Sequence, residues 1–161
     1  TTLFAGALGD RVVAALLLGK SAEAGERGVE LRLTGSVDEG LVAARDLVPV
    51  IGNLVDNAFD AVAGRPQRRV DVSLGSDEDT VTVVVGDDGP GLSDEDAAHV
   101  LDRGWTTKAS GSSGGGRGVG LTLVGQVARR HGGSVEVGRS PLGGAQFVVT
   151  LRPVRTRSAD R

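Results

Sequence analysis

The alternation of apolar and polar positions predicts five strands. VELRL (29–33) alternates apolar and polar positions, which is typical of a half-buried strand. RRVDVSL (68–74) and TVTVVVGD (80–87) are two further predicted strands. GSDED (75–79) has the composition of a turn between the second and third of these strands. SVEVGRS (134–140) and AQFVVTLRP (145–153) are predicted to form a last hairpin.

Four other segments have helical patterns. Residues 46–64 carry one apolar stripe, for which Asp46 is the expected N-cap, Pro49 lies in the expected first turn, and Gly64 is the expected stop. Residues 93–104 begin with a Ser cap and an acidic first turn. The remaining predicted helices are residues 11–28 and 119–133.

Strands that follow one another, with helices interspersed, favour an α+β two-layer sandwich over a doubly wound parallel sheet. The 161 residues are enough for one domain, and with only 2 % aromatic residues its core must be mostly Val, Leu and Ala. The tail 154–161 (VRTRSADR) is expected to be frayed.

Composition excludes several classes of function. A net charge of −3 with interspersed signs gives no electrostatic case for nucleic acid or an anionic membrane as partner. The absence of cysteine excludes disulfides, thiolate metal sites and cysteine nucleophiles. The longest apolar run, VVAALLL, is far shorter than the roughly 20 residues of a membrane span, and no signal peptide is visible. The lack of any Met leads us to expect a piece of a larger protein.

A polar row accompanies the apolar stripe of the helix 46–64. Asn53, Asn57 and Asp60 stand at i, i+4 and i+7 on one face. Asn is a mediocre helix former, and its amide oxygen is a neutral hard ligand suited to a Mg²⁺ whose charge is balanced by phosphates. Taken alone, the row is more typical of an ordinary solvated face, because three polar residues are a weak signal.

A second candidate site follows the strand 80–87. Asp87 is fixed at the strand end, and Gly89 and Gly91 would let a flat ring approach the backbone. A carboxylate accepts hydrogen bonds, so it can recognise an exocyclic amine such as the adenine N6. DDGPG is also common turn chemistry, and this alternative stays open on the residues alone.

The third candidate is the long glycine-rich loop that precedes the last helix. In GGGRGVG (114–120) glycine N–H groups and a helix N-terminus are available to an anion. Residues 102–117 are predicted to be a mobile lid, with Lys108 as a movable cation and Trp105 as an apolar anchor or an ordinary core residue. A disordered linker is the alternative interpretation.

Other nucleotide and hydrolase motifs are missing. The sequence has neither the P-loop pattern nor a G-x-G-x-x-G dinucleotide pattern. His99 and His131 have no motif context and are predicted to be structural; a basic residue near a helix C-terminus, such as His131, is electrostatically favourable.

Four segments follow one another along the chain in this order: NLVDNAFDAV, DDGPG, RGWTTK and GRGVGL. On these four segments the chain resembles the nucleotide-binding domain of the gyrase, Hsp90, histidine kinase and MutL ATPases. It looks most like the catalytic domain of bacterial sensor histidine kinases, and DNAFDA and RGWTTK are similar to the citrate and dicarboxylate sensor branch. The resemblance covers about residues 29–153. It implies a Bergerat-type ATP-binding fold, with a mixed, mainly antiparallel sheet against three helices and ATP–Mg²⁺ between the helix layer and the lid.

The resemblance implies a role for individual residues. Asn57 would be the Mg²⁺ ligand, Asp87 would bind the adenine amine, and Asn53, Lys108 and Arg117 would serve phosphoryl transfer. The further nucleotide contacts that it implies are Asp60, Gly89, Gly91, Thr107, Gly116, Gly118, Val119, Gly120 and Leu121. The phenylalanine typical of the lid is missing, and Leu101 and Trp105 stand where its packing would be expected.

The same resemblance implies the organisation of the whole protein. Residues 1–28 would be the end of a dimerisation helix and linker, 29–153 the catalytic domain, and 154–161 a flexible tail. The phospho-accepting histidine would lie upstream, on a dimerisation domain of the same protein, and a response regulator would be the next partner. The family's usual arrangement is a homodimeric membrane-bound sensor with this domain on the cytoplasmic side, whereas the fragment by itself would be a monomer.

Asn53 decides between the reaction types of this superfamily. ATP-hydrolysing members have a glutamate four residues before the Mg²⁺ asparagine, whereas an amide cannot take a proton from water at neutral pH. Loss of a general base typically costs roughly 10²–10⁴ in rate, so hydrolysis is expected to be poor. An anti-sigma-factor-type serine kinase and a non-catalytic nucleotide-binding regulator are the alternatives. The RGWTTK segment and the helix in residues 1–28 argue against the first. The complete Asn57, Asp87 and glycine set argues against the second.

Overall fold

The computed structural model describes residues 10–38, 40–99 and 115–153, without the side chains of residues 98, 99 and 115–119. In these ranges the chain forms four helices and five strands: α1 (Arg11–Arg27), β1 (Glu30–Gly35), α2 (Ala44–Val62), β2 (Arg69–Ser76), β3 (Val81–Asp87), α3 (Asp94–His99), α4 (Gly115–Arg130), β4 (Ser134–Arg139) and β5 (Ala145–Leu151). None of the described helices is long and apolar enough to cross a membrane.

The five strands form one mixed sheet in the order β1-β2-β3-β5-β4. β1 runs parallel to β2, with Leu31 opposite Val70, and every other pair is antiparallel. The crossover between the two parallel strands contains α2, as parallel pairing requires a long connection. The predicted hairpin of β4 and β5 is confirmed, with Val137 opposite Phe147.

One face of the sheet is buried beneath helices and the other is polar. Alternate residues of β2, β3 and β5 are buried, whereas Asp71 and Ser73 between them face outward. Three helices add to this core: α1 through Val13, Leu17 and Ala24, α2 through eight residues, and α4 through Leu121, Val124, Val127 and Ala128. The two-layer α+β fold that the sequence predicts is confirmed.

The predicted start of α2 is wrong. The helix begins at Ala44 behind Ala43, and no side chain caps it, so Asp46 is not the N-cap. Pro49 consequently lies inside the helix rather than in its first turn. The stop is close to the predicted position, since Ala63 is the C-cap and Gly64 follows with φ 76°. The Asp46 carboxylate instead makes contacts with Arg130 and His131, which are distant in sequence.

The glycine-rich segment enters its helix earlier than predicted. α4 begins at Gly115, so Gly116 and Gly118 belong to its first turns rather than to a loop. The Ser93 cap of α3 is confirmed by the bond from the Asp96 N–H to Ser93 Oγ at 3.0 Å. Residues 100–114, which carry most of the predicted lid, lie outside the described residues.

Candidate functional site

The polar row of α2 begins at Asn53. Its Nδ2 donates to the Pro49 carbonyl oxygen at 2.7 Å, one helical turn earlier. This bond fixes the orientation of the amide, and Oδ1 lies towards Gly120 of α4. Asn57 is half-buried one turn further on, and Asp60 is exposed. Among the residues that the structure describes, the Asn57 amide has no hydrogen-bond partner, so it is available to a ligand.

The second glycine segment meets this row at Gly120. A Cβ at position 120 would lie 2.5 Å from Asn53 Oδ1 and 3.0 Å from its Cγ, closer than real Cβ contacts. Glycine is therefore needed for the close approach of α4 to α2. The contact brings together two of the predicted site segments that are 67 positions apart in the sequence.

Asp87 is buried at the end of β3, with 2 % of its surface exposed. Its Oδ1 accepts from the N–H groups of Gly89 at 2.8 Å and Ala145 at 3.2 Å. Burial raises the pKa of this carboxyl group, against the lowering effect of the two N–H groups. Within the described ranges Oδ2 accepts no hydrogen bond, which leaves one acceptor for a donor outside the chain.

Three glycines surround Asp87, each for a steric reason. Gly89 lies against the end of α2, where a Cβ would be 2.7 Å from the Ala61 carbonyl oxygen. Gly91 has φ +79°, a left-handed conformation that favours glycine. A Cβ on Gly144 would collide with Asp87 Oδ1 and would lie 2.6 Å from the Gly89 nitrogen.

Gly144 is absent from the sequence-predicted site. It lies in the turn between β4 and β5, and its N–H donates to the Asp87 carbonyl oxygen at 3.0 Å. The only signal was the pair Gly143–Gly144, which also fits an ordinary hairpin turn. The hairpin thus supplies both Gly144 and the Ala145 N–H to the carboxylate site.

The two ends of the candidate site are joined by α2. Asn53 and Asn57 lie at its centre, and Ala61, one turn beyond Asn57, backs the loop that follows Asp87. The remaining predicted residues are distributed differently. Leu121 is buried in the core. The first turns of α4 contain Gly116, Gly118 and Val119. The structure does not describe the side chain of Arg117, and it does not describe Thr107 or Lys108 at all.

The donor set fits a magnesium nucleotide. A buried carboxylate with a free oxygen and glycine backbone on both sides can accept from the amine of a flat base. A neutral amide such as that of Asn57 suits Mg²⁺, which prefers a few protein ligands together with phosphate oxygens.

His131 makes a structural contact. Its Nε2 lies 3.0 Å from Asp46 Oδ2, and Arg130 donates to Asp46 Oδ1 at 2.9 Å. The hydrogen bond with His131 contributes most to holding the pKa of Asp46 below its ordinary value, and Arg130 lowers it further. The structural role predicted for His131 is consistent with this clamp between the C-terminal end of α4 and the first turns of α2.

Comparison with known families identifies the type of domain. Residues 42–155 match the family described as Histidine kinase-, DNA gyrase B-, and HSP90-like ATPase. The chain is 34 % identical over 149 residues to the sensor protein CitS of Bacillus subtilis, which covers 90 % of this chain and 27 % of the relative. It is also 34 % identical over 146 residues to the sensor histidine kinase DcuS of Escherichia coli K12, covering 87 % of this chain and 26 % of that protein. The chain thus spans about a quarter of the length of these relatives.

Solved structures agree on the fold. The catalytic domain of the histidine kinase ThkA, in a nucleotide-free form, superposes with a TM-score of 0.72 at 17 % identity, covering 90 % of this chain and 93 % of that one. The mycobacterial sensor histidine kinase MprB gives a TM-score of 0.68 at 22 % identity, covering 89 % of this chain and 97 % of that one.

Proposed function

The chain belongs to the family of histidine kinase-, DNA gyrase B- and HSP90-like ATPases, and from this premise we propose that it is the ATP-binding catalytic domain of a two-component sensor histidine kinase. The observation that carries the proposal is the buried Asp87, with Oδ1 held by two backbone N–H groups and Oδ2 accepting no hydrogen bond from the described residues. The loop that follows Asp87 lies against Ala61, one helical turn along α2 from Asn57. The relatives CitS and DcuS, both named as sensors, favour this function over a serine kinase.

Asp87 would recognise the adenine base. Its free carboxylate oxygen accepts from the exocyclic amine, and Gly89 and Gly91 let the ring approach the backbone. The two N–H groups on Oδ1 fix the plane of the carboxylate before any ligand arrives. Such preorganisation lowers the cost of binding.

Asn57 would hold Mg²⁺, which when bound neutralises phosphate charge. Lys108 and Arg117 are proposed as the cations that contact the phosphates, and Thr107 with the glycines 116, 118 and 120 as the remaining contacts of that end. Asp60, Val119 and Leu121 complete the proposed set. Because Leu121 is buried, we propose that it contributes to nucleotide binding by packing beneath the ligand.

Asn53 would supply no general base for the activation of water. Its Nδ2 is occupied by the Pro49 carbonyl oxygen, and an amide oxygen is no base at neutral pH. The γ-phosphoryl group is thereby retained for a protein side chain, a transfer that depends chiefly on positioning and charge.

The proposed acceptor is a histidine on a dimerisation domain of the same protein, outside this chain. We propose residues 1–28 as the link to that domain, 29–153 as the catalytic domain and 154–161 as a tail. A response regulator would receive the phosphoryl group next. From the family resemblance of the sequence, we propose that the full-length protein is a homodimeric membrane-bound sensor, with this domain on the cytoplasmic side.

Calorimetric titration of the chain with ATP, with and without Mg²⁺, tests the proposal. We expect saturable binding that is tighter with Mg²⁺, and Asn57→Ala should abolish the gain from Mg²⁺ while leaving adenosine binding unchanged. The Asn57 side chain has no described partner, so this variant should fold normally. Absence of ATP binding by the parent chain would contradict the proposed function.

A further inference from the structure

One ion pair joins α1 to α2, the helix that carries the polar row of Asn53, Asn57 and Asp60. Lys20 Nζ lies 2.6 Å from Asp56 Oδ1, and 3.6 Å from Glu23 Oε1 on its own helix. The Lys20 side chain is only 15 % exposed, whereas that of Asp56 is 54 % exposed. The ammonium group is therefore held against α2 rather than extended into water.

Asp56 stands at a sensitive place on α2. It directly precedes Asn57, follows Asn53 by three positions and precedes Asp60 by four, so it borders the polar row. A carboxylate there would repel the phosphates of a bound nucleotide, or would draw Mg²⁺ away from them. A cation fixed on Asp56 cancels that charge at short range.

We propose that Lys20 is a positioning residue for the triphosphate: it neutralises and restrains Asp56, so that this carboxylate adds no uncompensated negative charge beside the polar row of α2 that would face Mg–ATP. The inference rests on the proposed function, because it takes the polar row of α2 as the phosphate end of the site. It adds α1, which lies outside the proposed catalytic domain, to the residues that determine nucleotide affinity.

A purely structural role for the ion pair is the competing explanation. α1 is also anchored by Val13 and Leu17 in the core and by Arg27, whose guanidinium lies 5.3 Å from the centre of the Phe59 ring, so we expect the fold not to depend on the pair. Removal of Lys20 should therefore leave the chain folded. A structural role would affect all ligands alike, whereas neutralisation affects them according to their charge.

The experiment measures dissociation constants of the 161-residue chain for Mg–ATP, Mg–ADP and adenosine. Lys20→Met should weaken Mg–ATP binding by about three- to tenfold at low salt, Mg–ADP less, and adenosine not at all. Lys20→Arg should bind as the parent does. In the double variant Lys20→Met/Asp56→Asn the affinity should return, because the charge that Lys20 cancels is gone. Glu23→Gln, which leaves the Asp56 pair in place, is the matched control.

Equal loss for adenosine and Mg–ATP, or no recovery in the double variant, would overturn the inference and leave the proposed function standing. An unchanged affinity of Lys20→Met for Mg–ATP would do the same. If instead the parent chain binds no ATP, the proposed function itself fails. Thermal unfolding of each variant verifies that the compared proteins are folded.

Discussion

The side-chain amide of Asn53 occupies the space that a side chain at position 120 would need. A Cβ on Gly120 would lie 2.5 Å from Asn53 Oδ1, and the amide cannot easily turn away because its Nδ2 is bonded to the Pro49 carbonyl oxygen. Glycine at this position of α4 therefore leaves room for the Asn53 amide, whatever it does for phosphate. Substitution at this position should affect ligand binding more than stability.

Gly120→Ala tests this contact. Alanine favours the helix by up to about 1 kcal/mol, which should offset most of the strain, so the free energy of unfolding should change little. Displacement of the Asn53 amide should weaken Mg–ATP binding about tenfold, the loss of roughly one hydrogen bond of 1.5 kcal/mol. Calorimetry and thermal unfolding measure the two effects.

Gly125→Ala is the matched control, because it lies in the same helix with nothing within 4 Å of the new Cβ. It should be stabilised by about 0.5–1 kcal/mol with unchanged nucleotide affinity. Equal affinities for the two variants would show that the Asn53 contact is irrelevant to the site.

Gly144→Ala should damage both fold and site. The new Cβ meets Asp87 Oδ1 and the Gly89 nitrogen, so backbone must move, and overpacking of this kind costs about 1–3 kcal/mol. Gly138→Ala, on β4 with open space around it, should be nearly neutral. Chemical denaturation of both variants is the measurement, and similar midpoints would contradict the tight packing around Asp87.

The sequence predicts what local pattern determines and misses what distant contacts determine. The strands follow from alternation, since Val81, Val83 and Val85 face the core as their spacing indicates. Asp is a residue type typical of a helix N-cap, yet the Asp46 carboxylate contacts His131 and Arg130 at the C-terminal end of α4. Gly is a residue type typical of a turn, yet the position of Gly144 beside Asp87 follows only from the pairing of β3 with β5.

Asp87→Asn should weaken ATP binding more than GTP binding. The adenine amine donates to the carboxylate, and a hydrogen bond to a charged group contributes about 1.5–3 kcal/mol. GTP has a carbonyl at that ring position, so the parent chain should bind it poorly. Competition binding with both nucleotides is the measurement, and an equal loss for both would remove Asp87 from base recognition.

The same variant should change how stability depends on pH. Because burial raises the Asp87 pKa above its ordinary value of 3.8, the folded state binds this proton before the unfolded state does. Stability from this group is therefore present at acidic pH and lost as pH rises through the raised pKa. Relative to Asp87→Asn, the parent chain should gain stability as pH falls from 7 towards 4. A constant difference across that range would contradict the assigned pKa direction.

Asp46→Ala should loosen the clamp between α2 and α4. Hydrogen bonds to charged groups contribute about 1.5–3 kcal/mol, and the variant should lose about that much stability at pH 7, whereas Asp38→Ala on an exposed loop should lose little. Since the Asp46 pKa is lowered from 3.8, the stabilisation is present above that pH and disappears as pH falls through the lowered value. Denaturation of both variants at pH 7 and pH 3 measures it, and a loss that persists undiminished at low pH would exclude the ion pair as its cause.

The fate of the γ-phosphate tests the central claim most directly. The chain is incubated with γ-labelled Mg–ATP, and bound nucleotide, released phosphate and acid-labile phosphoprotein are followed over time. We expect bound ATP with very slow phosphate release, because Asn53 is no general base, and no label on the chain, because the proposed acceptor lies outside it. Rapid hydrolysis, or stoichiometric phosphate on His99 or His131, would contradict a domain that keeps its γ-phosphate for another histidine.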